Sequence, residues 1–98
     1  MSKEEKIILN PYFSDNFNRI LKRTKTKDKA IFQQIKENVT KIMANPSCGK
    51  PLRNVLKGYR RVHINSFVLV YEITSTEVKF IDFDHHDKVY KKNYAEIR

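Results

Sequence analysis

One segment limits the fold of this 98-residue chain more than any other, the seven residues Phe67–Ile73. Nearly every one of them is β-branched, aromatic or aliphatic, which favours a strand. Successive side chains of a strand point to opposite faces of its sheet, and this segment is apolar on both faces. Since both faces must then be covered, we predict that Phe67–Ile73 is the central strand of a sheet.

The segments on either side predict two further strands. Side chains in Tyr59–Ile64 alternate, so that Arg61 and His63 share one face. Asn65–Ser66 is short enough for a tight turn into the central strand, which makes these two strands antiparallel. Val78–Phe83 follows a second turn and predicts the last strand.

The first part of the chain predicts a short strand and a helix. Ile7–Leu9 is an apolar run that we interpret as the first strand. Asn10 would cap the helix that follows, with Pro11 at its first position. Apolar residues then recur at helical spacing, namely Phe13, Phe17, Ile20 and Leu21.

A second helix follows, capped by Thr26 or Asp28. Its apolar stripe consists of Phe32, Ile35, Val39 and Ile42. It ends at Asn45, because a residue before proline disfavours the helical conformation. Two such helices with a short link predict an antiparallel hairpin. We therefore expect residues 1–98 to form one α+β domain of order β-α-α-β-β-β, a small antiparallel sheet with the two-helix hairpin packed on one face.

The net charge of +9 is high for a chain of this length. It predicts a polyanionic partner, or an acidic protein that masks the surface, although the plainer alternative is that it serves solubility alone. The stretch from Cys48 to Tyr71 has no acidic residue and contains the basic residues Lys50, Arg53, Lys57, Arg60 and Arg61. A segment of this kind attracts phosphate groups.

Cys48 is the single cysteine, so it can form neither an intrachain disulfide nor a zinc site. Its turn-like surroundings favour a passive thiol, and we expect a reducing compartment, the cytoplasm. Residues 1–6 are charged, and no apolar run follows that could serve as a signal peptide or a membrane span. No membrane association is therefore expected.

The histidines of the second half could carry acid–base chemistry on RNA. Cleavage without a metal needs a base for the 2′-hydroxyl proton, an acid for the departing 5′-oxygen and cations for the phosphorane. Histidine, with a pKa of about 6.5, can take either proton role near neutral pH. His63 lies in a strand beside Arg61, while His85, His86 and Tyr90 follow the last strand. If neighbouring strands pair, these side chains converge on one groove.

Each of these residues also has a plainer interpretation. A lone strand histidine such as His63 is more often half-buried than catalytic, and Tyr90 could fill the edge of the core. Asp84, His85 and His86 could bind a transition metal, but such short spacing without a further ligand is a weak signal. We therefore expect no metal and no cofactor.

Several motifs of the second half together carry a family resemblance. They are Lys50-Pro51-Leu52, Leu56 to Arg60, His63-Ile64, Val68 to Tyr71, and His86 to Tyr90. In these motifs the chain resembles the RelE/ParE toxin superfamily, and within it the YafQ-type and RelE-type mRNA interferases. The predicted order of elements is also that of the RelE-like microbial RNase fold, so the resemblance covers nearly the whole chain.

The resemblance implies a toxin of a type II toxin-antitoxin system, a metal-independent endoribonuclease that cuts mRNA on the ribosome. It implies that His86 is the C-terminal catalytic histidine, His63 the strand histidine and Tyr90 the terminal aromatic residue. Arg61 and Lys50 would hold the scissile phosphate. One histidine would take the 2′-hydroxyl proton, and the other, His86 in our preference, would protonate the leaving oxygen.

Further residues are expected to contact RNA, namely Lys57, Arg60, Arg53, Lys88, Phe67 and His85. The implied partners are the ribosome, mRNA and a cognate acidic antitoxin of the RelB or DinJ type. A segment of that antitoxin would fold on binding and cover the basic groove or displace the tail that carries Tyr90.

The chain also departs from the family pattern. Lys50 stands where YafQ-type toxins have a further catalytic histidine, and Ser66 and Phe67 replace an acidic-aromatic pair. Three alternatives therefore stay open. They are a ParE-like toxin that poisons DNA gyrase and needs no histidines, an inactive module that binds RNA and antitoxin, and a metal-dependent nuclease.

Overall fold

Phe67–Ile73 is the central strand of a five-stranded sheet in the computed structural model, which describes residues 8–53 and 56–94. The strands are β1 (Asn10–Phe13), β2 (Lys50–Pro51), β3 (Tyr59–Ile64), β4 (Phe67–Ile73) and β5 (Glu77–His85). The helices are α1 (Asp15–Lys27), α2 (Lys29–Ala44) and the one-turn α3 (His86–Val89), and a 3-10 turn lies at Pro46–Cys48. The predicted α+β class is confirmed.

The strands lie side by side in the order β1-β5-β4-β3-β2. Strand β4 is antiparallel to β3 and to β5, as predicted for three consecutive strands. Strand β1 is parallel to β5, so the sheet is antiparallel except at this edge. A parallel pair requires a long crossover, and the helical hairpin together with β2, β3 and β4 separates these two strands in the chain.

The first strand begins later in the chain than the sequence predicts. Strand β1 starts at Asn10, so the prediction of a strand at Ile8 and Leu9 is wrong, while Ile7 lies outside the described residues. Pro11 consequently lies in a strand and not in the first turn of a helix. A proline is tolerated there because β1 is at the edge of the sheet.

Ser14, and not Asn10, caps helix α1. Its Oγ accepts a hydrogen bond of 3.0 Å from the backbone N–H of Phe17. Asn10 instead donates its backbone N–H to the carbonyl oxygen of Thr76 at 3.0 Å, which holds β1 beside β5. Phe13 therefore ends the strand, where its ring stacks on that of Phe17 with 5.7 Å between the centroids.

The two helices form the predicted hairpin, and α1 extends beyond Leu21, the last residue of the apolar pattern that predicts it. Helix α1 continues through the polar residues to Lys27, and the hydroxyl of Thr24 donates to a carbonyl of the preceding turn at 2.9 Å. Asp28 caps α2, as predicted, and accepts a hydrogen bond of 3.2 Å from the N–H of Ile31. Helix α2 ends at Ala44, directly before the Asn-Pro pair, as predicted.

Apolar side chains cover both faces of the sheet, which agrees with a central strand that is apolar on both sides. The core on the helix side contains Phe17, Ile20, Ile35, Ile42, Ile64, Leu69, Tyr71, Val78, Phe80 and Phe83. The core on the opposite side contains Leu52, Leu56, Tyr59, Val68, Val70, Ile81, Val89 and Tyr94. The second core includes the segment after the last strand, which the sequence analysis treats as a tail.

Two strands differ from the predicted ones. Strand β2, between α2 and β3, is not among the strands predicted from the sequence, and it pairs with β3 so that Lys50 lies opposite Arg61. Strand β5 is longer than predicted, and its register against β4 shifts between Val70 and Tyr71. Both differences matter for the candidate site, because β2 supplies two of its lining residues and β5 leads into α3, which precedes Tyr90.

Candidate catalytic groove

A groove of about 550 Å³ opens on the face of the sheet opposite helices α1 and α2. It is lined by Lys50, Pro51, Leu52, Arg53, Leu56, Arg61 and Tyr90. Four of the predicted site residues, Lys50, Arg53, Arg61 and Tyr90, therefore lie around one space. Leu52 and Leu56 form its apolar floor, a contribution that the sequence analysis missed.

The cations of the groove come from two neighbouring strands. Lys50 and Arg61 are direct partners in the ladder between β2 and β3, and Arg53 follows shortly after β2. Within residues 8–53 and 56–94, none of these three cations forms an ion pair with a carboxylate. Their charge is therefore available to an anion, and a phosphodiester is the anion that such a pair of cations suits.

A buried tyrosine fixes the place where β2 begins. The hydroxyl of Tyr71 donates to the carbonyl oxygen of Pro46 at 2.6 Å and accepts from the N–H of Gly49 at 2.9 Å. Burial raises the pKa of this phenol to about 12, so it stays protonated and keeps its donor. A Cβ on Gly49 would lie 2.6 Å from the Tyr71 oxygen and 2.8 Å from the carbonyl oxygen of Arg61. Only glycine therefore allows this close approach, which places Lys50 beside Arg61.

Arg60 faces away from the groove, on the side of the sheet that carries the helices. Its guanidinium donates to the carbonyl oxygens of Gly49 at 2.7 Å and Ser47 at 3.3 Å. Successive strand residues alternate, so Arg60 and Arg61 point to opposite faces. Arg60 thus supports the turn before β2, and the structure does not bring it to the RNA-binding groove that the sequence predicts for it.

His63 shares its face of β3 with Arg61 and is exposed to solvent. The limited burial of the ring lowers the pKa of His63, and the positive charges of Arg61, His86 and Lys50 lower it further. The imidazole is therefore neutral near pH 7 and able to accept a proton. The effect of His86 and Lys50 also shows that residues from α3 and β2 lie near this strand.

His86 and Tyr90 project from α3 and the turn after it. The backbone N–H of His86 donates to the carbonyl oxygen of Ser66 at 3.2 Å, so α3 starts beside the turn between β3 and β4. The Nδ1 atom of His86 lies 3.2 Å from Oδ1 of Asp87. The ring lies edge-on to Tyr90 with 6.5 Å between centroids. The side chain of His86 is 52% exposed, and Tyr90 is 42% exposed, so both are open to a ligand.

Four side chains join the end of β5 to the segment after α3. The buried carboxylate of Asp82 accepts hydrogen bonds from Lys92 at 2.6 Å and from the hydroxyl of Tyr94 at 2.7 Å. Lys92 also binds Asp84 at 2.9 Å. These contacts were not predicted from the sequence. A carboxylate inside an apolar strand could have indicated them, because a buried charge requires partners. We refer to Asp82, Asp84, Lys92 and Tyr94 as the clasp.

The charges of the clasp reinforce one another. Burial alone would lower the pKa of Lys92, but its hydrogen bonds to Asp82 and Asp84 raise it. Burial alone would raise the pKa of Asp84, but Lys92 lowers it. Burial and the negative charge of Asp82 raise the pKa of the Tyr94 phenol. Near neutral pH these shifts keep Asp84 ionised, Lys92 positively charged and Tyr94 neutral.

Phe67 and His85 lie on the helix side of the sheet, away from the groove. Their rings stack with centroids 4.3 Å apart, and Phe67 stacks on Phe83 at 4.9 Å. Lys57 and Lys88 are exposed, in the turn before β3 and on α3 respectively. The structure thus separates Phe67 and His85 from the predicted site, and the RNA contacts assigned to these four residues stay predictions.

Within the described part of the chain, no group of three or more His, Cys, Asp or Glu side chains is arranged to hold a metal ion. Asp84, His85 and His86 in particular do not form such a group, since Asp84 binds Lys92 and His85 stacks on Phe67. No helix among the same residues combines the length and the apolar character needed to cross a bilayer.

A family model and a curated relative that match this chain both belong to toxins. The family model of the ParE toxin of the type II toxin-antitoxin system, parDE, matches residues 7–90. A curated relative from Methanocaldococcus jannaschii, "Putative toxin RelE4", is 42% identical over 89 residues, which cover 88% of this chain and 90% of that protein.

Solved structures with the same fold include those of YoeB and YafQ. The YoeB dimer from Staphylococcus aureus matches with a TM-score of 0.71 and 27% identity, over 81% of this chain and 98% of that chain. YafQ from Escherichia coli strain BL21(DE3) matches with a TM-score of 0.69 and 20% identity, over 84% of this chain and 98% of that chain. At that identity the likeness to YafQ concerns the fold alone.

Proposed function

This chain belongs to the ParE toxin family within the RelE/ParE superfamily and is thus a toxin of a type II toxin-antitoxin system, and we propose that it is a metal-independent endoribonuclease that cuts mRNA on the ribosome. One observation carries the proposal. The charge of His86 on α3 lowers the pKa of His63 on β3, so the two side chains lie near each other. They lie close to a groove whose cations form no ion pair with a carboxylate within residues 8–53 and 56–94. A site of this kind holds a phosphodiester and moves protons around it.

In the proposed reaction, Lys50 and Arg61 hold the scissile phosphate and stabilise the charge that develops on the phosphorane. His63, neutral near pH 7 because burial and cationic neighbours lower its pKa, takes the proton of the 2′-hydroxyl. The 2′-oxygen bonds to phosphorus, and the bond from phosphorus to the 5′-oxygen breaks. His86 gives its proton to that leaving oxygen. The products are a 2′,3′-cyclic phosphate and a free 5′-hydroxyl.

Tyr90 supplies an aromatic surface at the rim of the groove. Single-stranded RNA is recognised largely through bases that stack on aromatic side chains. The half-exposed ring of Tyr90 lies beside both His86 and the cations, so a base stacked there would place its phosphate between them. The ribosome would present the codon as a single strand, and the reaction would take place in the cytoplasm.

The cognate antitoxin is proposed to be acidic in the segment that contacts this protein. The net charge of +9 and the cations of the groove favour such a partner. A segment that covers Lys50, Arg61 and Tyr90 would exclude RNA from the same space. Neutralisation then requires no change in the fold of the toxin.

A second candidate function follows from the family model, which is that of ParE. In this alternative the protein inhibits DNA gyrase, and His63 and His86 have no chemical role. The two functions differ in a supercoiling assay with purified gyrase. Inhibition that persists in His86→Ala, without any RNA cleavage by the wild type, would favour the alternative.

The test of the proposed function is primer extension on an mRNA incubated with purified protein, with and without ribosomes. The wild type is expected to produce cuts only with ribosomes, and His86→Ala none, while Lys91→Ala, an exposed change in the same segment, retains them. A chelator that binds transition metals but leaves the Mg²⁺ of the ribosomes in place should not change the cuts. Cuts that persist in folded His86→Ala would overturn the assignment of His86, and an absence of cuts from the wild type would overturn the function.

A further inference from the structure

We infer that Asp82 is a positioning residue of this site, because it holds the segment after β5 in which Tyr90 lines the groove and His86 lies beside Tyr90. The inference deepens the proposed function and rests on it for its effect on catalysis. Asp82 does not line the groove itself. Its influence must therefore pass through the residues that it holds in place.

Asp82 is 1% exposed, and both of its carboxylate oxygens are occupied. The Oδ1 atom accepts hydrogen bonds from Asn16 at 2.9 Å and from the backbone N–H of Phe83 at 2.8 Å. The Oδ2 atom accepts from Lys92 at 2.6 Å and from Tyr94 at 2.7 Å. A buried carboxylate with four donors is strongly held in one orientation, because losing any partner exposes it to the full desolvation penalty.

The two donors on Oδ2 close a short loop of chain. The chain leaves β5 at His85, forms α3 and turns at Tyr90. It then returns to β5, where Lys92 contacts Asp82. Lys92 bridges Asp82 and Asp84, which lie on the strand from which the loop departs. The segment that carries His86 and Tyr90 is therefore attached to the C-terminal part of β5 at both of its own ends.

The middle of the loop has one further anchor. Val89 is fully buried in the core opposite the helices, and the ring of Tyr94 packs on Tyr59 with 5.5 Å between centroids. In contrast, His86 and Tyr90 are about half exposed and contact each other edge-on. The backbone of His86 is also held by its hydrogen bond to Ser66, so the clasp acts on the direction of α3 and on the position of Tyr90 beside His86. A displacement of about 1 Å in a reacting group can lower a rate by about 10²-fold.

The variant that tests this inference is Asp82→Asn, which keeps the size of the side chain and removes its charge. The assay is single-turnover cleavage of mRNA on ribosomes, with the rate constant and the half-saturating concentration measured separately. We expect the rate constant to fall by about 10²-fold. The half-saturating concentration should change little, because the cations of the groove are untouched.

A second variant separates positioning from simple loss of stability. Asp82→Asn leaves the ammonium of Lys92 with one carboxylate fewer, which lowers the melting temperature. The double variant Asp82→Asn/Lys92→Met removes that ammonium, so its melting temperature is expected to be closer to that of the wild type. Its cleavage rate should stay low, because the contact between residues 82 and 92 that attaches the loop to β5 is still absent. If cleavage recovers together with the melting temperature, Asp82 only stabilises the fold and the inference is wrong.

A readout without RNA keeps this inference distinct from the proposed function. The side-chain NMR signals of His86 and Tyr90 should shift in Asp82→Asn, whereas those of Phe32, on the far side of the molecule, stay in place. Unchanged signals of His86 and Tyr90 would overturn the inference. If the wild type cuts no RNA but these signals shift, the proposed function fails and the positioning by Asp82 stands.

Discussion

Lys50 and Arg61 lie directly opposite each other on β2 and β3, so that two positive side chains face one another across the edge of the sheet. Like charges in this arrangement destabilise a sheet. Neither cation is neutralised by a carboxylate within the described residues. The pair is thus unfavourable for the fold alone and becomes favourable when an anion binds between the two cations.

This relationship predicts opposite effects of Lys50→Met on stability and on RNA binding. Removing one of two facing cations should raise the free energy of unfolding by roughly 0.2–1 kcal/mol at low salt. The same change should weaken RNA binding and reduce the slope of log K against log salt by about 1. Urea denaturation and filter binding across a salt series measure the two effects.

The matched control is Lys41→Met, which removes the same charge from α2 outside the groove. It should leave the salt dependence of binding close to that of the wild type. Equal effects of the two variants on RNA binding would show that the net charge of the protein matters and that the groove does not.

The pKa of His63 predicts the acid side of the pH–rate profile. Burial and three cationic neighbours lower this pKa, so the base stays active to a pH below the ordinary 6.5 of histidine. In Lys50→Met one of the cations is absent, which raises the pKa of His63 and moves the loss of activity to higher pH. NMR titration of the His63 ring and the cleavage rate from pH 4 to 8 should shift together. A profile that moves while the His63 titration stays fixed would assign the base to another group.

The adjacent histidines are predicted to differ in their effect on catalysis. His86 lies beside Tyr90 at the groove, whereas His85 stacks on Phe67 on the other face of the sheet. His86→Gln should lower the single-turnover rate by about 10²–10⁴-fold, the usual contribution of a general acid. His85→Gln should reduce it less than His86→Gln does, through a small loss of packing. Equal losses in the two variants would contradict the separation of their side chains.

Gly49 is predicted to tolerate no side chain. A Cβ at this position would meet the hydroxyl of Tyr71 at 2.6 Å, so Gly49→Ala must displace the turn or the phenol. Overpacking of this kind lowers the free energy of unfolding by about 1–3 kcal/mol. It should also move Lys50 away from Arg61 and weaken RNA binding. Urea denaturation measures the first effect, and the salt series described for Lys50→Met measures the second.

A companion variant, Tyr71→Phe, identifies the cause of the Gly49 effect. It removes the hydroxyl that meets Cβ of the new alanine, but it also leaves the N–H of Gly49 and the carbonyl of Pro46 without this partner. In the Gly49→Ala/Tyr71→Phe double variant, the loss in the free energy of unfolding should be smaller than the sum of the losses in the two single variants. Strict additivity would show that the clash lies elsewhere, for example at the carbonyl oxygen of Arg61.

The sheet could be predicted from the sequence because each of its consecutive strands carries its own pattern. Phe67–Ile73 is apolar on both faces, and Tyr59–Ile64 alternates, which fixes their neighbours and their faces. The start of the chain could not be placed in the same way. Asn10-Pro11 has the residue types of a helix start, and the edge position that admits Pro11 to a strand depends on pairing with distant Glu77 and Val78.

The candidate site was predictable only where residues share a strand. Arg61 and His63 are two positions apart on β3, so their common face follows from alternation. The separation of His85 from His86 depends on where β5 ends and α3 begins, which a short polar segment does not reveal. The clasp depends on contacts between Asp82 and residues that lie beyond α3, and no local pattern connects them.

During synthesis, the contacts of the clasp can form only after Lys92 and Tyr94 have been added to the chain. Chains are synthesised from the N-terminus, so all three helices and all five strands of the described fold emerge before Tyr94 does. Until Lys92 and Tyr94 reach Asp82, the loop that bears His86 has one fixed end and one free end. A product of interrupted synthesis that stops short of residue 92 would therefore possess the strands and the cations of the groove, but the segment after α3 would not be attached to Asp82. Lys92 and Tyr94, which attach this loop to Asp82, are therefore synthesised after every strand of the sheet.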